Sequence, residues 1–217
     1  MHGGVRETMG DYIYLHGFAS GPQSYKGCWL RSQFQAQNIE LQLLDLNQGD
    51  FAHLTLTRQI NQVINHLQGP TTLIGSSFGG LTAAWVAQQT PQNIQKLVLL
   101  APAFNFLDQW LPRLGTQQLH QWKTSGWLSI YHYGLQTQQR LHYPFVTDAQ
   151  SYADSQLNQP IPTLILHGKH DEVIDLAASQ TYAAQRPWTQ LQALDTDHGM
   201  ADAMEEIWQA IKAFCHL

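Results

Sequence analysis

The protein has 217 residues, 43% of them hydrophobic, which is typical of a single globular domain with a sizeable core. Its 11 basic and 16 acidic residues give a formal net charge of -5, so no basic surface is available for a nucleic-acid backbone. No apolar run approaches the roughly 20 residues that cross a bilayer, and residues 1–10 lack the apolar segment of a secretory signal. We therefore expect a cytoplasmic protein that neither binds nucleic acid nor spans a membrane.

Cysteine and histidine spacings argue against redox and metal chemistry. Cys28 and Cys215 are far apart and match no C-x-x-C pattern, which predicts two reduced thiols. His167 and His170 could be metal ligands, but no further histidine and carboxylate cluster accompanies them. We expect neither a metal nor a cofactor.

Short apolar runs alternate with segments that are long enough to form helices. Several runs lack polar alternation, which is typical of parallel strands covered on both faces. The sequence therefore predicts a doubly wound α/β fold with a mostly parallel sheet. The predicted strands are 12–15, 39–44, 71–74, 97–100, 163–166 and 191–194. The predicted helices are 25–37, 54–67, 78–89, 175–185 and 201–215.

A G-x-S-x-G motif at residues 75–79 follows a predicted strand and precedes a predicted helix. This is the context of a nucleophile elbow, in which a serine sits on a sharp, strained turn. Gly75 and Gly79 lack the Cβ atoms that would collide where strand and helix approach each other. Ser77 alone satisfies the spacing, because Ser76 occupies the x position and its side chain would point away. We predict that Ser77 is a nucleophile.

A serine hydroxyl needs a base, and His198 follows the last predicted strand, at the edge of the sheet where catalytic loops gather. Asp171 follows the preceding strand, so the order Ser77, Asp171, His198 matches a serine triad on this fold. Asp171 would orient the imidazole and stabilise the imidazolium. Other histidines are interpreted as surface residues: His2, His53, His66 and His216. Other nearby carboxylates are interpreted as solvated: Glu172, Asp175, Asp195 and Asp197.

The tetrahedral oxyanion of such a reaction needs two donors. The backbone N–H of Phe78, directly after the nucleophile, is one candidate. The second is expected in the turn after the first strand, where we predict the N–H of Phe18, with Ala19 as the alternative. His16, which precedes the glycine of this turn, is expected to brace the loop by hydrogen bonding.

These motifs in this order resemble the α/β-hydrolase superfamily over nearly the whole chain. Residues 14–26 and 75–80 are similar to the small bacterial YqiA-type esterases. The resemblance implies a compact carboxylesterase with about six parallel strands. We predict a carboxylesterase or thioesterase that cleaves a small acyl substrate through an acyl-enzyme on Ser77.

Two alternatives stay open. One is another chemistry on the same triad, such as C–C bond hydrolysis, a lyase reaction or perhydrolysis, because fold and triad do not fix the substrate. The other is a ligand-binding protein that retains the triad with negligible turnover.

Residues 102–159 depart from the strand–helix alternation, and we interpret them as a helical cap inserted into a single domain of residues 1–217. The segment follows a strand, so it must emerge at the same edge of the sheet as Ser77. It contains Trp110, Trp122 and Trp127, whose side chains are expected to line an apolar pocket or, alternatively, to form the cap's own small core.

Overall fold

A computed structural model describes residues 10–217, and its centre is a six-stranded sheet with the strand order β2-β1-β3-β4-β7-β8. All neighbouring strands of this sheet are parallel, as predicted. Two sequence predictions, the surface position of His2 and the absence of a secretory signal in residues 1–10, concern residues that lie almost entirely outside the described part of the chain. The strands are β1 (Asp11–Leu15), β2 (Leu41–Leu44), β3 (Thr71–Ser76), β4 (Ile94–Leu100), β5 (Trp127–His132), β6 (Thr137–His142), β7 (Thr163–Gly168) and β8 (Thr189–Leu194).

Helices cover both faces of the sheet. On β3, Leu73 and Ile74 point to opposite faces because side chains alternate along a strand, and each belongs to a different core cluster. On the Ile74 side α1 packs against α7, with the rings of Phe34 and Trp208 5.1 Å apart. The doubly wound prediction is therefore confirmed. The helices are α1 (Tyr25–Ala36), α2 (Leu56–His66), α3 (Phe78–Gln89), α4 (Phe106–Ser125), α5 (Pro144–Ala149), α6 (Leu176–Ala184) and α7 (Met204–Cys215).

Residues 102–159 contain the predicted helical structure in α4 and α5, but also an antiparallel hairpin of β5 and β6. The expectation that this segment holds no strand was wrong. In β5, Leu128 and His132 are buried whereas Ser129 and Tyr131 are exposed, which is the two-residue period of a half-buried strand. The period escaped the sequence analysis because β6, rich in glutamine, shows no matching apolar run.

Two further observations concern membrane-spanning helices and the state of the cysteines. Within residues 10–217, no helix has both the length and the apolar character that crossing a bilayer requires. Cys28 and Cys215 are both free thiols, and Cys215 is buried.

The chain changes direction across the sheet at β1, which pairs with β2 on one side and β3 on the other. Ligands of open α/β sheets bind at the carboxyl ends of the strands at such a switch point. Leu15 is the register partner of Gly75, so the loops that follow β1 and β3 leave the sheet side by side. The fold therefore brings the loop of His16 next to Ser77.

Candidate active site

Ser77 lies on a sharp turn between β3 and α3, with φ 53° and ψ -118°. A non-glycine residue in this conformation is strained, and such strain is common at functional sites. A Cβ atom on Gly75 would collide with the carbonyl oxygen of Gly79, and one on Gly79 would collide with that of Leu15. These two glycines allow α3 to begin against the ends of β1 and β3. Ser77 is partly exposed, whereas Ser76 is buried.

The structure brings the three predicted triad residues into one hydrogen-bonded chain. Ser77 Oγ lies 3.1 Å from Nε2 of His198, and Nδ1 of His198 lies 2.7 Å from Oδ2 of Asp171. The side chain of Asp171 is 0% exposed and that of His198 is 21% exposed. The partly exposed His198 therefore connects a fully buried carboxylate to a hydroxyl that substrate can reach.

Asp171 is held as a carboxylate although it is buried. Burial alone would raise the pKa of Asp171, but hydrogen bonds from His167 and His198 outweigh it and hold this pKa below its ordinary value. Oδ1 also accepts the N–H groups of Val173 and Ile174, both at 2.8 Å. The ionised Asp171 can only accept a hydrogen bond, so Nδ1 of His198 carries the ring proton and donates it in this bond, which leaves the lone pair of Nε2 for the hydroxyl of Ser77.

His167 is a second histidine on Asp171, which the sequence analysis considered only as a metal ligand. Its Nε2 lies 3.0 Å from the carbonyl oxygen of Ile174 and 3.3 Å from Oδ2 of Asp171. Both oxygens can only accept, so Nε2 carries the proton, and Nδ1 accepts from the hydroxyl of Ser179 at 2.8 Å. In the sequence, His167 precedes a glycine and lies four residues before Asp171. This position was the signal that could have identified His167 as a partner of Asp171.

Close contact between two loops brings Asp171 within reach of His198. A Cβ atom on Gly168, at the end of β7, would lie 2.6 Å from the carbonyl oxygen of Asp197. Only glycine allows this approach. The N–H of His170 also donates to the carbonyl of Thr196 at 3.0 Å, which extends the pairing of β7 and β8 into the loops.

The two predicted oxyanion donors belong to the residue that follows Ser77 and to the loop that lies beside it. Phe78 N–H opens α3, and Phe18 follows Gly17, where an added Cβ would lie 3.9 Å from Ser77 Oγ. Within the described part of the chain, neither N–H has a hydrogen-bond acceptor. The alternative donor residue, Ala19, follows directly and has φ 51°. The N–H groups of Phe18 and Phe78 are therefore free to bind a substrate oxygen.

His16 braces the loop after β1, as expected. Its Nε2 accepts the N–H of Leu46 at 3.0 Å, so Nδ1 carries the ring proton and donates to the carbonyl of Gly17 at 2.9 Å. Both nitrogens are occupied by the backbone. His16 is therefore not available as a second base.

Aromatic side chains of the cap segment pack on the two predicted oxyanion residues. The ring of Phe18 lies 5.4 Å from Trp110 and 5.2 Å from Phe145, and the ring of Phe78 lies 4.9 Å from Phe106. These distances are typical of favourable aromatic pairs. The cap segment therefore supports the loops that present the N–H groups.

Two of the three cap tryptophans pack against other residues of the cap segment, as in the alternative interpretation. Trp122 is fully buried and donates from Nε1 to the carbonyl of Leu141 at 3.0 Å, so it belongs to the core of the cap segment. Trp127 stacks on His142 at 4.6 Å, and the guanidinium of Arg140 lies 4.1 Å from its ring.

The competing carboxylates have other contacts. Asp175 caps α6 by accepting the N–H of Ala177 at 2.9 Å. Asp195 pairs with His170 at 2.7 Å, and both side chains are exposed. Asp197 accepts the N–H of Met200 at 3.0 Å, and Glu172 is exposed. Among residues 10–217, no three His, Cys, Asp or Glu side chains form a group that could hold a metal ion.

Lys26, at the start of α1, is a site residue that the sequence analysis missed. Its Nζ donates to the carbonyl of His198 at 3.1 Å and so links α1 to the loop that carries the base. Burial lowers the pKa of Lys26 to about 8, while the carboxylates of Asp171 and Asp197 act in the opposite direction. Lys26 ends the stretch 14–26 that carries the family resemblance, but the sequence did not indicate its role, which depends on the packing of α1.

We expect the free energy of unfolding of Lys26→Met to fall relative to that of the wild type as pH rises. Between pH 8 and about 10.5 the unfolded chain keeps a lysine proton that the folded protein releases. The wild type therefore gains stability over this range, and the methionine variant lacks that gain. Urea denaturation at pH 7.5 and pH 10 measures the difference. Lys26→Arg, which stays charged, should also lack the gain, and a pH-independent difference between wild type and Lys26→Met would contradict the assignment.

Comparison with known proteins shows the family of the chain. The sequence matches the uncharacterised protein family UPF0227 over residues 11–216. It is 30% identical over 107 residues to a pimeloyl-(acyl-carrier protein) methyl ester esterase from Pectobacterium atrosepticum, covering 46% of this chain and 40% of the relative. It is 27% identical over 135 residues to the mitochondrial palmitoyl-protein thioesterase ABHD10 of Mus musculus, covering 58% of this chain and 45% of the relative. The matches thus span less than half the length of these curated relatives.

The fold matches as well. The structure of mouse alpha/beta hydrolase domain-containing protein 10 superposes with a TM-score of 0.78 at 19% identity, covering 95% of this chain and 89% of that one. At this identity the likeness concerns the fold alone. The chain belongs to the UPF0227 family and has the α/β-hydrolase fold that its motifs predicted.

Proposed function

We infer that the protein is a serine hydrolase that cleaves carboxylic esters or thioesters of small acyl groups. The observation that carries this conclusion is the chain of hydrogen bonds from Ser77 Oγ through His198 to Asp171, beside two N–H groups with no acceptor. A nucleophile, a base, an orienting acid and an oxyanion site are the parts that acyl transfer requires. Substrate class and a cytoplasmic location stay predictions.

Each side chain has a defined task in this reaction. His198 Nε2 takes the proton of Ser77 while Oγ attacks the substrate carbonyl carbon, and the N–H groups of Phe18 and Phe78 stabilise the oxygen that becomes negative. Asp171 stabilises the imidazolium without taking its proton. His198 then protonates the leaving alcohol or thiol. Water attacks the acyl-enzyme by the same route, and Ser77 recovers its proton.

The relatives favour ester chemistry over the alternatives. One relative is named a methyl ester esterase and the other a palmitoyl-protein thioesterase, so both names describe cleavage of an acyl–oxygen or acyl–sulfur bond. C–C bond hydrolysis and perhydrolysis have no such support. A ligand-binding protein without turnover would have no need of a strained Ser77 within 3.1 Å of a base.

The first test concerns the nucleophile. A fluorophosphonate should label Ser77, and Ser77→Ala should abolish both labelling and hydrolysis of short 4-nitrophenyl esters while the melting temperature stays within a few degrees. The reason is that, within residues 10–217, only the hydroxyl of Ser77 lies within hydrogen-bond distance of Nε2 of His198. Peptide mass spectrometry locates the label. Labelling of Ser76, or full hydrolysis by Ser77→Ala, would refute the proposal.

The second test concerns the acid. Asp171→Asn should lower kcat by about 10³–10⁴-fold, because an amide no longer selects the tautomer of His198 that activates Ser77. Asp175→Asn is the matched control, since asparagine also caps helices and Asp175 does not contact His198. Steady-state kinetics on a short ester compares them. An equal loss in both variants would contradict the assignment of Asp171.

The third test concerns His167. In His167→Asn the amide oxygen can still accept from Ser179, but the Nε2 donor to Asp171 is lost. Negative charge then concentrates on the oxygen that faces His198, so His198 holds its proton more strongly and the acid limb of the kcat/KM profile should move to higher pH. His167→Gln, which can place an N–H donor near the Nε2 position, should move it less. Unchanged profiles in both variants would show that His167 only supports packing.

A further inference from the structure

A cavity of about 690 Å³ lies at the same edge of the sheet as Ser77, and none of the triad residues lines it. Three segments form its wall: residues 20–25 after β1, the loop between β2 and α2, and residues 132–136 of the hairpin. Cavities of this size hold small organic ligands. Its wall therefore includes the part of the cap segment that the sequence analysis did not predict.

The cavity is connected to the predicted oxyanion loop. The N–H of Tyr133, at the tip of the hairpin, donates to the carbonyl of Ala19 at 2.8 Å. Gly17 lies beside Ser77, and Ser20, the first residue of the cavity wall, follows three residues later. Three residues span at most about 11 Å. Ser20 therefore lies within about 11 Å of Gly17, a distance that a moderately long substituent of a substrate can span.

The rim of the cavity is apolar and exposed. Tyr25, Tyr133 and Leu135 belong to the cavity wall and are 58%, 73% and 60% exposed. Only two other large hydrophobic side chains of the described residues have such exposure, Tyr131 and Val173. Grouped exposed apolar side chains mark binding surfaces more often than scattered ones do. The rim thus favours a ring or an alkyl chain.

The charge of the wall restricts what can bind. Asp45 is the one charged side chain among the residues that line the cavity in the described part of the chain. No lysine or arginine accompanies it there, so a carboxylate or phosphate would meet a negative charge without a partner. Asn47, Gln136 and Gln139 supply neutral polar groups. The wall is therefore suited to an uncharged occupant.

His132 adds a buried donor to this wall. It is 1% exposed, and its Nδ1 accepts the N–H of Leu135 at 3.2 Å. Because Nδ1 accepts this hydrogen bond, the ring is neutral and Nε2 carries its proton, and burial lowers the pKa of His132 in the same sense. Among residues 10–217, Nε2 has no hydrogen-bond partner, and the ring stands edge-on to Phe51 at 4.8 Å. An acceptor on a ligand would satisfy a donor that is otherwise buried unpaired.

We propose that this cavity binds the part of an ester substrate remote from the bond that is cleaved, and that this part is an uncharged ring or chain with an acceptor oxygen for His132. The proposal rests on the proposed esterase function, which it deepens by naming the substrate class.

The test compares a short ester with extended ones. The acyl series consists of the 4-nitrophenyl esters of acetate, 3-(4-methoxyphenyl)propanoate and succinate; the alcohol series pairs methyl acetate with 2-(4-methoxyphenyl)ethyl acetate. In the series whose extended group occupies the cavity, Tyr133→Ser should lower kcat/KM on the methoxyphenyl ester by about 10-fold or more. This is the scale of lost apolar contacts in substrate pockets. On the short ester the change should stay below about twofold, since acetyl groups do not reach the rim. The affected series shows which side of the bond occupies the cavity.

Two matched controls accompany this comparison. Tyr131→Ser removes an exposed tyrosine from the same hairpin that does not line the cavity but whose ring lies 5.2 Å from that of Tyr133, so it should reduce the ratio of extended to short ester much less than Tyr133→Ser does. His132→Asn can keep an acceptor for Leu135 but removes the donor, and should reduce the same ratio. His132→Gln, which can place an N–H near the Nε2 position, should reduce it less. Melting temperatures show whether each variant is folded.

The outcomes separate the two proposals. Equal changes on short and extended esters in both series, equal effects of Tyr131→Ser and Tyr133→Ser, or a wild-type preference for the charged succinate ester would overturn the cavity assignment while leaving the esterase function in place. If the wild type hydrolyses none of these esters and Ser77 takes no fluorophosphonate label, the proposed function itself fails, and the cavity assignment fails with it.

Discussion

The beginning of α3 against the end of β1 is the contact on which the site depends. Gly79 has no side chain, so the first turn of α3 lies against the carbonyl of Leu15. This contact places Ser77 and the N–H of Phe78 beside the loop of Gly17 and Phe18. A methyl group at Gly79 would separate α3 from β1, and overpacking of this kind typically costs about 1–3 kcal/mol. The loss of geometry would matter more, because donor and nucleophile would move apart.

Electrostatics explains why the base and acid stay in place. Asp171 is buried, and a buried carboxylate is unfavourable unless hydrogen bonds compensate for the lost water. Hydrogen bonds to charged groups contribute about 1.5–3 kcal/mol each, and Asp171 receives them from two histidines and two backbone N–H groups. Lys26 holds the carbonyl of His198 from the other side. The orientation of the triad is therefore shared among β7, α6, α1 and the last loop.

The segment between β4 and β7 contacts the predicted oxyanion residues and also lines the cavity. Its aromatic residues pack on Phe18 and Phe78, and the tip of its hairpin bonds to Ala19. The same segment also forms one wall of the 690 Å³ cavity. Support of the predicted oxyanion loop and the proposed contact with the remote part of a substrate are thus combined in one insertion, so we expect changes in it to alter selectivity without touching the triad.

The sequence by itself determined the strand–helix alternation and predicted five site residues, because apolar periodicity and the elbow spacing are local properties. Trp122 and Trp127 could not be assigned, since whether an aromatic side chain fills a core or lines a pocket depends on distant neighbours. The hairpin was missed because its second strand is polar. Only the tertiary structure decided the roles of His167, Lys26 and His132, which arise from contacts between segments that are separated along the chain and brought together by packing.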